Sequence, residues 1–268
     1  MAKCTNGHVK GKLTDEEVRR TFGQQVELFA APDSPFARRS LLPTSWLQPL
    51  DATMIVLDVA CGAAHAAEEI APHVRQVVGL DLTPDLLSVG DHRLRQAGVR
   101  NVLLQQGNAA ALPFVDASFD VVFCRSALHH FRDPRATVHE MARVCRAGGR
   151  VVVTDMVAPG AEVREAFDAL HCRIDPSHMG VLLSEEILEL LASEVGPISH
   201  GDLSDTFRLP IDAMLTDASD RELVRAILAN EVNGGAVSGF APELDDESGT
   251  ITVAFATATV HASKTPPG

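Results

Sequence analysis

The sequence predicts an α/β protein built on an open, doubly wound and mostly parallel sheet, with helices on both faces and an antiparallel strand at the C-terminal end. Three observations lead there. Between residues 54 and 157, strand-length apolar runs alternate with helical stretches. Each run is nearly continuous in apolar residues, as strands buried on both faces are. The intervening helices start at Thr83-Pro84 and Asp133-Pro134 and stop at Gly98 and Gly148-Gly149, the proline-first, glycine-last punctuation of helices.

Taken in order, Thr14 and Glu17 form a T-x-x-E capping box, and Val18, Phe22, Val26 and Phe29 follow at helical spacing. A helix is expected from about 14 to 30. Pro32, Pro35, Pro43 and Pro49 then restrict regular structure to short pieces. The five core strands are MIVLDVA, QVVGLDL, NVLLQQG, FDVVFCR and RVVVTDMV. After Val157 the periodicity changes to helical stretches near 161–172, 184–194 and 219–230, and the alternating run TITVAFATATVHA is a final strand. FAPELDDESG before it reads as an acidic hairpin or loop, and KTPPG as a frayed end. The expected division is 1–50 as an N-terminal helical cover, 51–158 as the ligand-binding core, and 159–268 as cover helices and final strands of the same sheet.

Composition narrows the function. The 268 residues carry 36 acidic against 23 basic side chains, a formal charge of -13, which repels phosphate backbones and anionic lipid and argues against nucleic acid as a partner. The five cysteines show no C-x-x-C pair, which fits a reducing, cytoplasmic compartment. No apolar run approaches the roughly 20 residues of a membrane span, and the first residues lack the apolar core of a signal peptide.

In such sheets ligands bind at the carboxyl ends of the strands. The first strand ends LDVACG and the second ends at Asp81. Small residues in the turn let the backbone approach a nucleoside, and a second-strand carboxylate can accept both ribose hydroxyl hydrogens. A dinucleotide fold would add G-x-G-x-x-G to seat a pyrophosphate on a helix N-terminus. Here Gly62 is followed by Ala64 and Ala67 at the later glycine positions, so that reading is poor.

The segments VLDVACGAAHAAEEIA, VVGLDLTPDLL, GNAAALPFVDASFDVVFCRSALHHFRDP and EMARVCRAGGRVVVTDMV, in this order and spacing, resemble the class I S-adenosylmethionine-dependent methyltransferases. The nearest group is the small-molecule branch of type 11 that includes the ubiquinone and menaquinone biosynthesis enzymes. The resemblance implies a Rossmann-like core over 51–158 that binds S-adenosylmethionine. It implies Asp58 and the turn Ala60, Cys61 and Gly62 around the amino-acid portion of the cofactor, Asp81 on the ribose, Leu82 against the adenine, and Asn108 and Ala109 on the ring's polar edge. Arg125 and Ser126 fall at the methionine end, and Phe29 where relatives have an aromatic residue closing over the cofactor. Relatives commonly have aspartate at the position of Asn108 and glycine at those of Ala60 and Ala64. An added methyl matters where φ is positive or the ligand packs on that Cα, and Ala64 is the departure expected to narrow the cofactor site.

His129 and His130 after the fourth strand are the catalytic candidates, since imidazole titrates near neutral pH; capping, packing or pocket lining stand as the other readings. His171 and His178, with Asp175 between them, are candidates for the substrate pocket, and their spacing does not suit a metal. Cys61 and Cys124 read as packing, Glu68-Glu69 as a solvated helix face. The expected activity is in-line transfer of a methyl group from S-adenosylmethionine to an oxygen, nitrogen or carbon of a small organic acceptor, leaving S-adenosylhomocysteine. A non-methylating cyclisation or rearrangement on the same fold, or a binding protein without catalysis, are the alternatives. Monomer and homodimer are both open.

Overall fold

The computed structural model describes residues 13–30, 47–215 and 218–265, apart from the side chains of Phe29, Ala30, Ser204, Ala218 and Ser219. Among the described residues eight strands form one sheet: β1 (Ile55–Val59), β2 (Gln76–Asp81), β3 (Val102–Gln106), β4 (Phe119–Arg125), β5 (Cys145–Met156), β6 (Ile198–Pro210), β7 (Glu243–Asp245) and β8 (Thr250–Ser263). Their order is β3-β2-β1-β4-β5-β8-β6, with β7 also paired to β8. The first five run parallel, and all pairings of β8 are antiparallel. The strand order reverses between β1 and β4, the position at which open sheets of this kind leave a crevice.

Alternate strand residues feed two cores, as continuous apolar runs require. On one face Val56, Val77, Val121, Phe123 and Val152 pack against α3 (His65–Ile70) and α4 (Pro84–Gln96). On the other, Leu57, Val59, Val122, Cys124, Val151 and Val153 pack against α5 (Pro134–Val144) and α7 (Ser184–Glu194). A third cluster joins α6 (Arg164–Ile174) and α8 (Ala218–Val232) to β8 through Phe167, Leu170, Val224, Leu228, Phe240, Val253 and Phe255.

The N-terminal helix is two pieces, α1 (Asp15–Gln24) and α2 (Val26–Ala30). The capping box at its start is present, with Thr14 N donating to Glu17 Oε2 at 2.8 Å and Glu17 N to Thr14 Oγ1 at 3.3 Å. Thr83, expected to cap α4, makes no side-chain cap bond. Its amide instead donates to Asp81 Oδ1 at 2.8 Å, so that turn is held from the strand before it. Asp133 does cap α5, accepting from Ala136 N at 3.1 Å. α5 stops at Val144 rather than at Gly148-Gly149, because Cys145 already pairs with Phe119. A Cβ on Gly149 would stand 2.7 Å from Asp120 O, so the glycine serves close strand approach.

β6 is the strand the sequence pattern does not announce. ISHGDLSDTFRLP lacks clean alternation, and it bulges twice against β8. As the outermost strand it pairs on one side only, and an edge tolerates glycine, aspartate and bulges that a central strand would not. The acidic block resolves into a hairpin: Glu243–Asp245 pairs with the start of β8.

Candidate active site

A cavity of about 480 Å³ opens at the carboxyl ends of β1, β2, β3 and β4, covered by α1. Its first wall is the turn after β1. Ala60, Gly62 and Ala64 all have left-handed φ, at 58°, 53° and 61°. Cys61 N donates to Leu80 O at 3.0 Å and Gly62 N to Asp81 Oδ2 at 2.8 Å. Asp81 therefore receives one main-chain N–H on each oxygen, from Gly62 and from Thr83. Burial pushes its carboxyl above the usual range against those two donors. A carboxylate has about four lone-pair sites, so each oxygen keeps acceptor capacity toward the cavity.

Ala64 does not line the cavity. It is fully buried in the core behind the turn, where a Cβ on Gly90 of α4 would come within 3.2 Å of its methyl. The expected narrowing of the site is thus absent: glycine on α4 makes room for this methyl on the far side.

Asn108 and Ala109 line the opposite wall after β3. Asn108 Oδ1 accepts from Ala110 N at 2.8 Å, and its Nδ2 donates to Asp15 Oδ2 on α1 at 2.8 Å. An aspartate here would set carboxylate against carboxylate, which accounts for the amide. Arg132 donates to Leu13 O, so the start of α1 is tied down on both sides of the cavity.

Asp58, just below the turn, is buried and does not reach the cavity surface; its Oδ2 has no hydrogen-bond partner among the described residues. Burial, reinforced by Asp81, raises its carboxyl to about 8 against the pull of Arg125. Arg125 does line the cavity, and burial lowers its guanidinium to about 10 against the attraction of Asp58.

The wall beyond β4 holds the two candidate histidines in different settings. His130 lines the cavity and meets Phe22 of α1 edge-on at 5.0 Å. His129 points inward: its Nδ1 lies 2.5 Å from Asp155 Oδ1, and burial drives its imidazole well below the usual histidine range. Asp155 also accepts from Ala127 N at 2.9 Å, Leu128 N at 2.5 Å and Met156 N at 2.7 Å. It is the clamp of this turn, and burial lifts its carboxyl to about 6 against the amides of Leu128, Met156 and Ala127. Behind His129, His171 and His178 stack at 4.2 Å, and His178 Nε2 meets Asp168 Oδ1 at 2.7 Å. Both rings are buried and neither lines the cavity.

Of the residues singled out from sequence, Ala60, Cys61, Gly62, Asp81, Leu82, Asn108, Ala109, Arg125, Ser126 and His130 converge on the cavity. Asp58, His129, His171 and His178 stand behind its wall. The Phe29 side chain lies outside the described residues. Sequence reasoning missed Val18, Phe22 and Met179 as cavity residues, and Asp155 and Ser177 as supports. The sequence predicts the N-terminal helix as a cover, but the helical spacing of Val18 and Phe22 does not single them out as the residues facing the cavity, and nothing local marks the rest. Among the described residues, no group of three or more His, Cys, Asp or Glu is arranged to hold a metal ion, and no helix is long and apolar enough to cross a membrane.

A family model described as a methyltransferase domain matches residues 57–153. The uncharacterized methyltransferase YcgJ of Bacillus subtilis is 42% identical over 125 residues, 46% of this chain and 49% of that protein. Its crystal structure shares a TM-score of 0.70 at 29% identity, over 81% of this chain and 94% of that one. The uncharacterized protein YafE of Escherichia coli is 33% identical over 143 residues, 53% of this chain and 68% of that protein. The demethylmenaquinone methyltransferase of Listeria welshimeri is 41% identical over 108 residues, 39% of this chain and 45% of that enzyme. The chain thus spans about half the length of the first and the last of these relatives.

Proposed function

From the premise that this chain belongs to the methyltransferase-domain family, we propose that it transfers the methyl group of S-adenosylmethionine to a small organic acceptor. The observation that carries the reading is Asp81, whose carboxylate is aimed into the cavity by main-chain donors from Gly62 and Thr83. The surroundings suit the donor. Asp81 has acceptor capacity left for two ribose hydroxyls, and the small residues Ala60, Cys61 and Gly62 leave main chain at the surface. Behind this turn, the buried Asp58 Oδ2 has no hydrogen-bond partner among the described residues, which suits a ligand ammonium on the cavity side of the turn.

Bound there, S-adenosylmethionine would supply an electrophilic methyl group on a sulfonium. Everything else falls to the chain. Asp81 would hold the ribose, Leu82, Asn108 and Ala109 the adenine, and Ala60, Cys61, Gly62 and Arg125 the amino-acid end, with Asp58 acting on it from behind the turn. The acceptor would lie toward β4, under Val18 and Phe22 of α1 and beside His130, Phe131 and Met179, all of which line the cavity. This apolar cover excludes water and aligns the reactants, the main contribution a protein can make to methyl transfer. In this reading residues 1–50 are a cover, 51–158 the donor-binding core, and 159–268 the acceptor-side cover and last strands. We further infer a cytoplasmic monomer or homodimer acting on a free small molecule, consistent with a charge of -13 that repels nucleic acid.

Calorimetry with S-adenosylhomocysteine tests the donor half, and the expected result is micromolar binding. No binding at millimolar ligand ends the proposal. Methyl-labelled donor, offered with a panel of candidate acceptors, then tests transfer: label belongs in the product.

A further inference from the structure

The surroundings of His130 determine which of its nitrogens carries the proton. Nδ1 lies 3.2 Å from the main-chain oxygen of Ser177 and 3.1 Å from its Oγ. A carbonyl oxygen only accepts. The Ser177 hydroxyl hydrogen is committed elsewhere, since Oγ donates to Asp175 Oδ1 at 2.5 Å. That oxygen also accepts Ser177 N–H at 2.8 Å. Burial works to raise the Asp175 carboxyl, but the charge of His130 when that ring is protonated and the two Ser177 donors in either state hold it below the usual range, so it is ionised and can only accept. Nδ1 of His130 thus faces two acceptors and must be the N–H, which leaves the lone pair of the neutral ring on Nε2. Nε2 stands 3.7 Å from Asp175 Oδ2, beyond a hydrogen bond but close enough to steady an imidazolium.

Around this ring stand His129 on the same turn, with Asp155 behind it, Asp175 and Ser177 on the loop after α6, and the stacked His171 and His178 from α6 and that loop. Phe22 from α1 is uncharged. Asp175 is the carboxylate that pairs with His130 itself; Asp155 and Asp168 are taken by His129 and His178.

We infer that Ser177 and Asp175 are positioning residues that hold His130 as a general base, and that the acceptor presents an O–H or N–H to it. This rests on the methyltransferase reading above for the reaction, and on the geometry alone for the base. As the acceptor's electron pair forms the new bond to the methyl carbon, the carbon–sulfur bond breaks with its pair on sulfur, leaving S-adenosylhomocysteine. The acceptor's proton passes to Nε2, and the imidazolium, facing Asp175, later returns it to solvent. An acceptor that is already an unprotonated nucleophile would need none of this apparatus.

The test is a long-range proton–nitrogen correlation spectrum of the full chain labelled with 15N-histidine, free of ligand, with the His130 signal identified by its loss in His130→Gln. The expected neutral ring is protonated at Nδ1 and bare at Nε2. A ring mainly protonated at Nε2 overturns the assignment, and that measurement stands on the unmutated protein whether or not any variant folds. Asp175→Ala frees the Ser177 hydroxyl hydrogen to turn toward Nδ1, so the Nε2–H share should rise at least severalfold. Asp168→Ala, beside His178, should leave it as it is. An unchanged ring in Asp175→Ala overturns the positioning role. Because the protein is read without ligand, failure to bind S-adenosylhomocysteine would defeat the donor reading and leave this result intact. On the acceptor side, a product whose methylated atom had no proton before transfer, such as a thioether sulfur or a tertiary amine, overturns the assignment.

Discussion

The two halves of the cavity are made of different material. Around Asp81 the wall is main chain and small side chains, supplied by the turns after β1, β2 and β3 and hydrogen-bonded to one another across neighbouring strands. Around His130 it is side chains, gathered from α1, the turn after β4, the end of β5 and the loop after α6, which meet only when the chain has folded. The first half needs the sheet and a few permissive residues. The second needs buried carboxylates, each with several donors, to hold polar rings inside an apolar shell. A donor common to many reactions suits the first construction, and an acceptor particular to one suits the second.

The sharpest way to break this contrast is Asp155→Ala. It strands the amides of Ala127, Leu128 and Met156 and the Nδ1 of His129, and loss of a buried, fully bonded carboxylate costs about 3 to 5 kcal/mol. Denaturant unfolding should show that loss in the midpoint. A loss below about 1 kcal/mol would mean that the turn after β4 holds itself, as the donor half does.

Asp81→Ala should act on binding instead. Removing a carboxylate that both orders Gly62 and Thr83 and receives the ligand should weaken S-adenosylhomocysteine by about 3 kcal/mol, roughly a hundredfold, since charge-assisted bonds contribute about 1.5 to 3 kcal/mol each. If the two halves are separate, His130→Ala should change the same affinity by less than about threefold, under ~0.7 kcal/mol. Equal losses in the two variants would erase the division between the halves.

A third outcome concerns protons. Asp58 has its carboxyl raised to about 8, so the folded chain holds a proton at pH 7 that the unfolded chain has released. Its contribution to stability is therefore whole below the ordinary aspartate range and is lost as pH rises through about 8. A cationic ligand group beside it favours the carboxylate, so binding S-adenosylmethionine at pH 7 should expel up to one proton. Calorimetry in buffers of different ionisation enthalpy reads that number directly. Asp58→Asn should bring it near zero; proton uptake in place of release would show that the ligand's cation lies elsewhere.

The same contrast explains what the sequence shows. The donor half is legible because local pattern suffices: an apolar run, a small-residue turn, an aspartate ending the next strand. Asp81 and Gly62 could be named from such patterns, and Asn108 from the family resemblance. Ser177 and Asp155 could not, because their role depends on which strand end and which loop come together, and no spacing in the chain encodes a contact between residues 130 and 177. His129 shows the limit from the other side. It sits next to His130 with the same chemistry, and only burial against Asp155 tells them apart. β6 escaped for a related reason, since its partner β8 supplies the order that its own polar pattern lacks.

Within the donor half, the alanines at left-handed φ offer a smaller test. Ala60 and Ala64 each carry the strain of a Cβ in that region, about 1 kcal/mol or more. Glycine relieves it but also loosens the unfolded chain. At Ala60, partly exposed on the cavity, Ala60→Gly should stabilise by about 0.5 kcal/mol. At Ala64 the lost methyl is fully buried against Gly90, worth about 0.8 kcal/mol, so Ala64→Gly should gain nothing or lose slightly, with donor affinity unchanged. Tighter donor binding in Ala64→Gly would show that this methyl restrains the turn after all.

The smallest expected effect lies where the two halves meet, at the bond from Asn108 to Asp15 that closes α1 over the cavity. Asn108→Asp turns a hydrogen bond into two carboxylates at contact distance. The pair is exposed, so stability should fall by less than about 1 kcal/mol. The start of α1 should nevertheless lift, because the bond from Arg132 to Leu13 O would be left to hold it. Limited proteolysis before β1 should accelerate in Asn108→Asp, and salt should slow it again by screening the repulsion. Adding Asp15→Asn to the same chain should restore the closed helix, because the amide introduced at position 15 can donate to the carboxylate introduced at position 108, the present bond with its direction reversed. If the double variant stays open, the bond between positions 108 and 15 is not what holds the cover in place, since the acceptor for Ala110 N survives in both variants.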